Sequence, residues 1–496
     1  MNLAQKSLVI SSGRFANSMA RLLVNITIAH LLADQLGLNG QYQKIWLVFN
    51  TFYMFFLFGI PESLYFFVPR AKKQDIPAII NQTYYLLIGL GLLFLLFLTG
   101  FSRLTANYYH VPNLPAYFRW FAFYGAFMVS SSFVDSLFIV LDRHRLMAYL
   151  QVAEAILFYA AAIIPIFLLG DIYLAIVCIT LLSALRLIAA HLLINRYLPA
   201  FKLRRPQLNW GAIRPQLLFA LPIALTNMVG FMAAYLDKNI IAFFIDSNAI
   251  YTVYAYGAME LPFIGVFFGS INSVLLPDIS RLHHQGKIPE IVLLLRKAVG
   301  RIIFVVLPLF LFLLLAARDA YTLVYGEAFG DSSLPFRLYL LLLPIRILFY
   351  GRILAALGKA STVTKIALAD LIANLLLSIF LVQQIGWLGP AIASVLTTWL
   401  EVSAFIWYLG RVLGQKPLAI FPVRGIARAA FLSLLAGIPA VVLFLALPTP
   451  LERLLASGSA FALVYLVGIA LTGDLRRLRD SLLGGEKSSE VEGDTA

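Results

Sequence analysis

The stretch FIVLDRHRLMAYLQVAEAILF, Phe138–Phe158, aligns with RILAALGKASTVTKIALADLI, Arg352–Ile372, at an offset of 214 to 216 residues. Further along the chain, GDIYLAIVCITLLSALRL from Gly170 aligns with GWLGPAIASVLTTWLEVS from Gly386. The two pairs occur in the same order and at nearly the same offset. The chain therefore contains an internal duplication, and the fold is expected to be built from two similar halves.

The composition is that of a membrane protein, with 61% hydrophobic residues, 12% charged residues and a mean hydropathy of +0.88. The apolar residues form about fourteen blocks of roughly 20 to 30 residues, each long enough to cross a ~30 Å hydrocarbon layer as a helix. The predicted spans lie near 8–33, 42–68, 79–101, 116–141, 147–169, 172–196, 217–245, 250–280, 291–316, 335–357, 362–384, 387–411, 426–447 and 454–472. We therefore expect an all-α integral membrane protein.

The duplication relates spans one to six to spans seven to twelve. Because six is even, both copies enter the membrane in the same direction, which predicts two six-helix lobes related by a parallel repeat, with two C-terminal helices outside it. The predicted domains are an N-terminal lobe at 1–200, a cytoplasmic linker at 201–216, a C-terminal lobe at 217–412, two further helices at 413–475 and a disordered cytoplasmic tail at 476–496. Two such lobes can face each other across a cleft.

The net charge of +14 follows the membrane topology. Alternate connections are rich in lysine and arginine, as at Arg70, Lys72 and Lys73, whereas the intervening connections carry few basic residues, such as Arg103. Because basic loops stay in the cytoplasm, both termini are predicted to be cytoplasmic. This distribution argues against a nucleic-acid-binding surface.

Catalytic and metal-binding motifs were not found in the sequence. Cys178 is the single cysteine, and histidine and cysteine nowhere recur at metal-ligand spacing. No phosphate-binding glycine loop and no nucleophile elbow stands out. We therefore expect no enzyme activity, no metal and no cofactor.

The stretch SSGRFANSMARLLVN, Ser11–Asn25, places charges inside the first predicted span. At ~1.5 Å per residue, Arg21 lies about 20 Å and Arg14 about 9 Å from the cytoplasmic side. They are seven residues apart, so they share one helix face with Ser18 and Asn25. A charge at this depth costs at least ~2.5 kcal/mol on insertion scales, and it usually faces a bundle interior or a watery cavity.

Other charged residues lie inside later spans. An arginine offers a planar fork of donors that matches a phosphate, so the arginines predict an anionic headgroup site. The candidates for that site are Arg14, Arg21, Arg186 and Arg346. The acidic residues are candidates for ion coupling or for structural counter-ions of the arginines, and the sequence leaves both roles open. These acidic residues are Glu154, Glu260, Asp370 and Glu401.

Four further charged residues and four prolines lie inside or near the spans. The charged residues are expected close to the membrane edges, with Asp237 and Lys238 a solvated pair; they are Glu62, Asp135, Asp237 and Lys238. The prolines are expected to bend their helices because each removes a backbone hydrogen bond. They are Pro61, Pro222, Pro262 and Pro344.

Three stretches are typical of one transporter superfamily. They are GQYQKIWLVFNTFYMFFLFGIPESLYFFVPR at 40–70, ALPIALTNMVGFMAAYLDKNIIAFFI at 220–245 and LAALGKA at 354–360. Together with the two six-helix lobes and two extra helices, they resemble the multidrug/oligosaccharidyl-lipid/polysaccharide (MOP) exporter superfamily. Within it, the chain resembles the polysaccharide biosynthesis branch with the O-unit (Wzx-type) flippases.

The resemblance implies a flippase of the cell inner membrane. Such proteins move an undecaprenyl-diphosphate-linked oligosaccharide to the periplasmic leaflet, for a polymer such as the O-antigen of lipopolysaccharide. Membrane lipids surround them, and a polymerase or glycosyltransferase is the expected protein partner. Family members have a cationic central cavity, and transport is driven by a membrane potential or an ion gradient.

Three alternatives remain open from the sequence. Multidrug and toxin exporters of the superfamily use acidic residues for cationic drugs, whereas the first span here carries Arg14 and Arg21. Lipid II flippases also have a cationic cavity and two extra helices, but their second helix usually closes with an asparagine motif rather than the Val68-Pro69-Arg70 found here. A membrane scaffold that transports nothing is the third alternative.

Overall fold

The computed structural model describes residues 3–111, 113–197, 210–259 and 262–474. Over these residues the chain forms α-helices joined by short turns, without a strand, as predicted. The helices are α1 (Leu3–Leu31), α2 (Leu36–Leu57), α3 (Ile60–Phe67), α4 (Ile76–Gly100), α5 (Ser102–Tyr108), α6 (Leu114–Ser131), α7 (Phe133–Val140), α8 (His144–Leu169), α9 (Ile172–Tyr197), α10 (Trp210–Phe244), α11 (Asn248–Gly257), α12 (Pro262–His284), α13 (Ile288–Tyr325), α14 (Ser333–Leu340), α15 (Tyr350–Ala356), α16 (Ala360–Ile385), α17 (Gly389–Val412), α18 (Val423–Ala446) and α19 (Pro450–Leu471).

The described residues include 10 stretches that are long and apolar enough to cross a membrane. One of them, 360–412, contains both α16 and α17. The chain is therefore a multi-pass membrane protein, and the count of fourteen spans stays a prediction. Four of the predicted spans are each formed by two consecutive helices: α2 with α3, α6 with α7, α11 with α12, and α14 with α15.

Three of the four prolines in the predicted spans coincide with such interruptions. Pro61 lies in the first turn of α3, α12 begins at Pro262, and Pro344 lies between α14 and α15. Helix α10 continues through Pro222. At the α2–α3 break, Gly59 has a φ of +63°, and a Cβ there would lie 2.8 Å from the Ala220 carbonyl oxygen of α10. A glycine is needed because of both this close approach and the left-handed backbone.

By packing, the chain divides into two units. The first is Met1–Tyr256 with Leu371–Ala393, and the second is Gly257–Asp370 with Ser394–Ala496. This division follows side-chain packing, whereas the predicted lobes follow the sequence repeat. The predicted lobe boundaries therefore stay a prediction. Most of the predicted linker, the predicted tail and Glu260 lie outside the described residues.

In the first unit, α1 packs along α8, α4 along α6, and α6 along α9. In the second unit, the 38-residue α13 packs against α18 and α19. The hydroxyl of Tyr465 on α19 donates a hydrogen bond to the Phe304 carbonyl of α13 at 2.8 Å. Arg453 Nη1 lies 3.3 Å from Asp319 Oδ1 at the other end of the same helix pair. These contacts tie the two C-terminal helices to the second unit.

Candidate functional site

Helix α1 presents two different faces in the first unit. Gly13, Val24 and Ile28 lie on the buried face, which packs on α8. A Cβ at Gly13 would lie 3.2 Å from the Ala148 Cα, so the two helix backbones approach closely there. This packing fixes the rotation of α1 about its own axis.

The other face carries the two arginines of the opening span. The side chains of Arg14 and Arg21 are exposed, and neither forms a salt bridge with any residue that the structure describes. Ser18, between them, donates its hydroxyl to the Arg14 carbonyl at 3.1 Å. Asn25 accepts a hydrogen bond from Gln43 at 3.0 Å. The stripe is therefore polar, and its two guanidinium groups keep their donors available.

Three tyrosines lie within range of the charge on Arg21. Its charge acts on the hydroxyl groups of Tyr42 and Tyr53 on α2 and of Tyr124 on α6. Guanidinium and hydroxyl groups are the donors that bind phosphate oxygens in proteins, and charge-assisted bonds of this kind are roughly twice as strong as neutral ones. The arrangement can bind an anionic headgroup.

Another arginine in the first unit, Arg186, forms ion pairs with acidic residues. Arg186 on α9 contacts Glu154 on α8, and its Nη2 lies 3.6 Å from Asp135 Oδ2 on α7. Its Nη1 also lies 3.9 Å from the Met128 sulfur. One guanidinium group thus faces two carboxylates on two different helices. We call Asp135, Glu154 and Arg186 the ion triad.

A cavity of about 170 Å³ adjoins the ion triad, between α6, α7, α8 and α9. One buried water needs roughly 10–15 Å³ of such volume, so the cavity has room for several. Gln151 lines it and is 5% exposed, and its buried Oε1 accepts no hydrogen bond from the described residues. The remaining lining is mostly leucine and alanine. The cavity therefore has one charged end and otherwise mostly apolar walls, and it is large enough for several water molecules.

The second unit contains a matching group. Arg346 lies between α14 and α15, close enough to Asp370 on α16 and Glu401 on α17 for its charge to act on both carboxylates. The Thr397 hydroxyl of α17 lies beside the Asp370 carboxylate and interacts with it. As in the ion triad, one arginine lies near two carboxylates. The arginine is on the tenth predicted span here and on the sixth in the ion triad.

The backbone around Arg346 is not helical, in the middle of the tenth predicted span. Trp399 Nε1 donates to the Leu341 carbonyl at 3.2 Å, and Asn272 Oδ1 accepts from the Phe349 N–H at 3.2 Å. Non-helical backbone at membrane depth occurs only where protein or a watery cavity satisfies its polar groups. The two side chains therefore cap the two ends of the break.

Replacing Asn272 with alanine is expected to destabilise the second unit by about 1–3 kcal/mol, because the buried Phe349 N–H loses its acceptor. Asn272 itself is 1% exposed, so water does not readily replace it. Thermal unfolding of the purified protein in detergent measures the change. Gln285→Ala, at an exposed position just beyond α12, is the control and should leave the melting temperature unchanged. Equal melting temperatures for both variants would contradict this role of Asn272.

A polar cluster joins α2 to α10 and α11 within the first unit. Lys44, which is 0% exposed, donates to the Tyr109 carbonyl at 2.7 Å. The Tyr109 hydroxyl donates to Asn239 at 2.6 Å, and Asn239 donates to Thr51 at 3.0 Å. The Thr252 hydroxyl donates to the Leu36 carbonyl at 2.7 Å. We call these residues the α2–α11 latch: Leu36, Lys44, Thr51, Tyr109, Asn239 and Thr252.

The latch lies near three connections of the chain: between predicted spans one and two, between spans three and four, and between spans seven and eight. All three connections belong to the side with few basic residues. Helix α2 comes from the first sequence repeat, and α10 and α11 come from the second. The latch therefore holds the two repeats together at the predicted outer side.

Of the eight charged residues singled out from the sequence, the structure describes seven, all but Glu260, and it brings five of them together in two groups. Arg186 pairs with Glu154, Arg346 faces Asp370 and Glu401, and Arg14 and Arg21 stay apart from the acidic residues described. The roles proposed for them stay predictions. No sequence pattern indicated Gln151 or Lys44 as site residues. The expectation of a solvated Asp237 was wrong, because this residue is 4% exposed and accepts a hydrogen bond from the Tyr254 hydroxyl at 2.8 Å.

Comparison with known proteins identifies the family. The model of the polysaccharide biosynthesis protein family matches residues 3–283, more than half of the chain. The capsular polysaccharide biosynthesis protein CapF of Staphylococcus aureus is 23% identical over 206 residues, which are 41% of this chain and 52% of that protein. The chain thus aligns with about half the length of this curated relative.

Two solved structures share the fold. The lipid II flippase MurJ in an inward closed conformation superposes with a TM-score of 0.76 at 15% identity, covering 94% of this chain and 99% of that one. An inward-facing multidrug resistance MATE transporter of the MOP superfamily has a TM-score of 0.61 at 13% identity, covering 80% of this chain and 95% of that one. The chain therefore shares the fold of these two transporters, and it belongs to the polysaccharide biosynthesis protein family.

Proposed function

We propose that this protein is a flippase that carries a polyprenyl-diphosphate-linked oligosaccharide across the inner membrane during cell-surface polysaccharide biosynthesis. The observation that carries the proposal is the polar face of α1. Two exposed guanidinium groups, Arg14 and Arg21, lie inside the first predicted span without a carboxylate partner among the described residues. Retaining two such charges in a membrane is costly, and an anionic headgroup compensates them during transport.

The same observation argues against a cationic cargo. A cationic drug entering along α1 would meet two like charges and no facing acid on that helix among its described side chains. A diphosphate instead can accept charge-assisted hydrogen bonds from both arginines. Family membership supports this direction of the argument, because the matched family acts in polysaccharide biosynthesis.

Transport is proposed to proceed by alternating access. The α2–α11 latch closes the predicted outer side, and the route to the periplasm opens when its hydrogen bonds break. The lysine- and arginine-rich connections support a cytoplasmic position for both termini. A glycosyltransferase or a polymerase of the same polymer is proposed to supply or consume the carried glycan.

The test is a binding competition followed by native mass spectrometry in a mild detergent. The ligands are a polyprenyl-diphosphate disaccharide, lipid II and a cationic dye, offered together in equal amounts. The proteins are the wild type, Arg21→Ala and Arg103→Ala. Arg103 is an exposed arginine on α5, so its removal changes the net charge equally without touching α1.

The proposal expects the polyprenyl-diphosphate disaccharide to bind to the wild type and to Arg103→Ala, with at least a tenfold loss, about 1.4 kcal/mol, in Arg21→Ala. Binding of the dye in preference to both lipids would refute it in favour of drug export. Selective binding of lipid II would support the headgroup site, but it would identify lipid II as the transported substrate in place of the other glycan lipid.

A further inference from the structure

The polar face of α1 continues beyond the two arginines to Asn25, about one helical turn further along. Asn25 Oδ1 accepts a hydrogen bond from Gln43 Nε2 on α2 at 3.0 Å, and the Asn25 carbonyl accepts one from the Tyr256 hydroxyl at 3.0 Å. The Gln43 bond bridges the polar face of α1 and α2. It therefore shows which face of α2 points toward the side of α1 that carries Arg14 and Arg21.

That face of α2 carries a second polar stripe. Gln43, Trp46 and Asn50 are spaced three and four residues apart, so they lie on one side of the helix. All three side chains are partly exposed. The Asn50 amide forms no hydrogen bond with any residue that the structure describes, and Gln43 Oε1 accepts none from them. These amide groups therefore keep donors and acceptors available for a ligand.

The α2 stripe lies beside the two arginines. The bond between Asn25 and Gln43 sets the register of α1 and α2, which are consecutive helices joined by a short turn. At ~1.5 Å per residue, Arg21 lies about 6 Å and Arg14 about 16 Å from Asn25 toward the predicted cytoplasmic side. On α2, Asn50 lies about 10 Å from Gln43 in the same direction. Asn50 is therefore level with the interval between the two arginines.

The chemistry of the α2 stripe fits a neutral ligand rich in hydroxyl groups. The one charged side chain of α2, Lys44, is 0% exposed and belongs to the α2–α11 latch. The stripe therefore does not attract a further phosphate, and amide groups without partners are unsuited to a lipid tail. A sugar hydroxyl both donates and accepts hydrogen bonds, as an amide side chain does. Trp46, between the two amides, offers an apolar surface to the C–H groups of a sugar ring.

We propose that Asn25, Gln43, Trp46 and Asn50 bind the first sugar of the carried glycan and make transport selective for it. This inference rests on the function proposed above, because that sugar is bonded to the diphosphate held by the arginines. The rise from Arg21 to Asn25, about 6 Å, is roughly the length of one pyranose ring. The diphosphate is the same in every such lipid, so selection between glycans requires contacts of this second kind.

The test measures the binding of four farnesyl lipids to the purified full-length protein in a mild detergent by isothermal titration calorimetry. The reference is the methyl ester of farnesyl diphosphate, and the other three lipids carry glucose, galactose or N-acetylglucosamine in place of the methyl group, at equal charge. The measured quantity is the affinity for each sugar-bearing lipid divided by the affinity for the methyl ester.

The proteins are the wild type, Asn50→Leu, Gln43→Met, Arg21→Ala and the control Gln74→Met. Gln74 is an exposed amide in the turn before α4, so its substitution removes the same group away from α1 and α2. Asn50 has no hydrogen-bond partner to lose among the described residues, so Asn50→Leu should keep the melting temperature of the wild type.

The wild type and Gln74→Met are expected to bind at least one sugar-bearing lipid about tenfold more tightly than the methyl ester, the effect of about two net hydrogen bonds. Asn50→Leu and Gln43→Met are expected to bring this ratio close to one, because the sugar loses its amide partners. Arg21→Ala is expected to weaken the binding of all four lipids, because the diphosphate loses its cation.

A ratio close to one for all three sugars in the wild type, with binding that still depends on Arg21, would overturn the inference and leave the proposed function intact. A wild-type ratio that persists in both Asn50→Leu and Gln43→Met would place the sugar elsewhere and would also overturn the inference. Failure of all four lipids to bind to the wild type would overturn both the inference and the proposed function.

Discussion

Replacing Arg186 with leucine is expected to destabilise the first unit by about 2–3 kcal/mol, which is less than the ~3–5 kcal/mol for a fully buried ion pair because Asp135 is 40% exposed. Glu154 and Asp135 would then face each other without a cation in the membrane-spanning part of the protein. Protonation of one carboxylate limits the loss and does not abolish it, because the remaining charge stays unpaired. Thermal unfolding in detergent, followed by the melting temperature, measures the effect.

Two further variants separate this effect from a general intolerance of substitution. The triple variant Arg186→Leu, Glu154→Gln, Asp135→Asn removes all three charges and should regain most of the lost stability. Arg21→Leu removes an arginine without an ion-pair partner among the described residues, so its free energy of unfolding should change by only about 0.5 kcal/mol. If Arg186→Leu melts at the same temperature as Arg21→Leu, the triad does not stabilise the fold.

The contrast between these arginines was only partly predictable from the sequence. Arg186 and Glu154 lie on neighbouring predicted spans, and a role as a structural counter-ion was one of the two interpretations left open for Glu154. The choice between them depends on helix rotation, which is set by packing. For α1, close approach at Gly13 turns Arg14 and Arg21 away from α8. A single sequence contains the glycine but does not say which helix meets it.

The involvement of Asp135 shows why charges near predicted edges are misjudged. The sixteen-residue distance between Asp135 and Gln151 crosses a tight turn, so the end of one span folds back beside the start of the next. In addition, the fourth predicted span is two helices, α6 and α7, interrupted at Ser132. A uniform rise of ~1.5 Å per residue does not account for such an interruption, and it therefore misplaces the residues beyond it.

The break in the tenth span is a second case. Pro344 predicted a bend, yet the structure has a non-helical segment between α14 and α15 with Arg346 inside it. The segment persists because Asn272 and Trp399, from other helices, satisfy its backbone. These two side chains are distant from Pro344 in the sequence, so local propensity could not reveal them. The general plan of apolar helices was predictable because hydropathy and span length are local properties.

The four arginines predicted for one headgroup site therefore separate by their surroundings. Arg186 and Arg346 each face two carboxylates, whereas Arg14 and Arg21 face solvent-accessible space and tyrosine hydroxyl groups. An anion gains most from arginines that have no partner to give up. For this reason the proposed headgroup site consists of the two arginines of α1 and excludes the two paired arginines.

Closure of the predicted outer side leads to the last prediction, in which Gly40→Val is expected to lower glycan export at least tenfold. A Cβ at Gly40 on α2 would lie 2.1 Å from the Asn248 carbonyl oxygen and 2.7 Å from the Thr252 hydroxyl of α11. The first of these atoms belongs to the backbone, so no side-chain rotation relieves the clash. Valine there forces α2 and α11 apart, and the α2–α11 latch cannot form.

Gly37→Val is the matched control. Gly37 lies on the same helix, one turn earlier, and a Cβ there has no atom within 4 Å, so its helix propensity changes equally without a clash. Export is measured in cells that lack the native protein. In a Cys178→Ser background, Asn39→Cys reports closure through an impermeant maleimide, because Asn39 is 0% exposed in this structure.

If Gly40→Val lowers export because the α2–α11 latch cannot form, the outer side of this variant must also fail to close. The maleimide should label Asn39→Cys from outside in the Gly40→Val protein and should leave it unlabelled in the Gly37→Val protein. Gly40→Ala should fall between them, since its smaller side chain keeps the clash of the Cβ and adds nothing beyond it. Equal export by Gly40→Val and Gly37→Val would show that the latch opens and closes without the contact at Gly40. Lost export with an unlabelled cysteine would place the defect elsewhere than in closure, because the two repeats would still meet at the outer side.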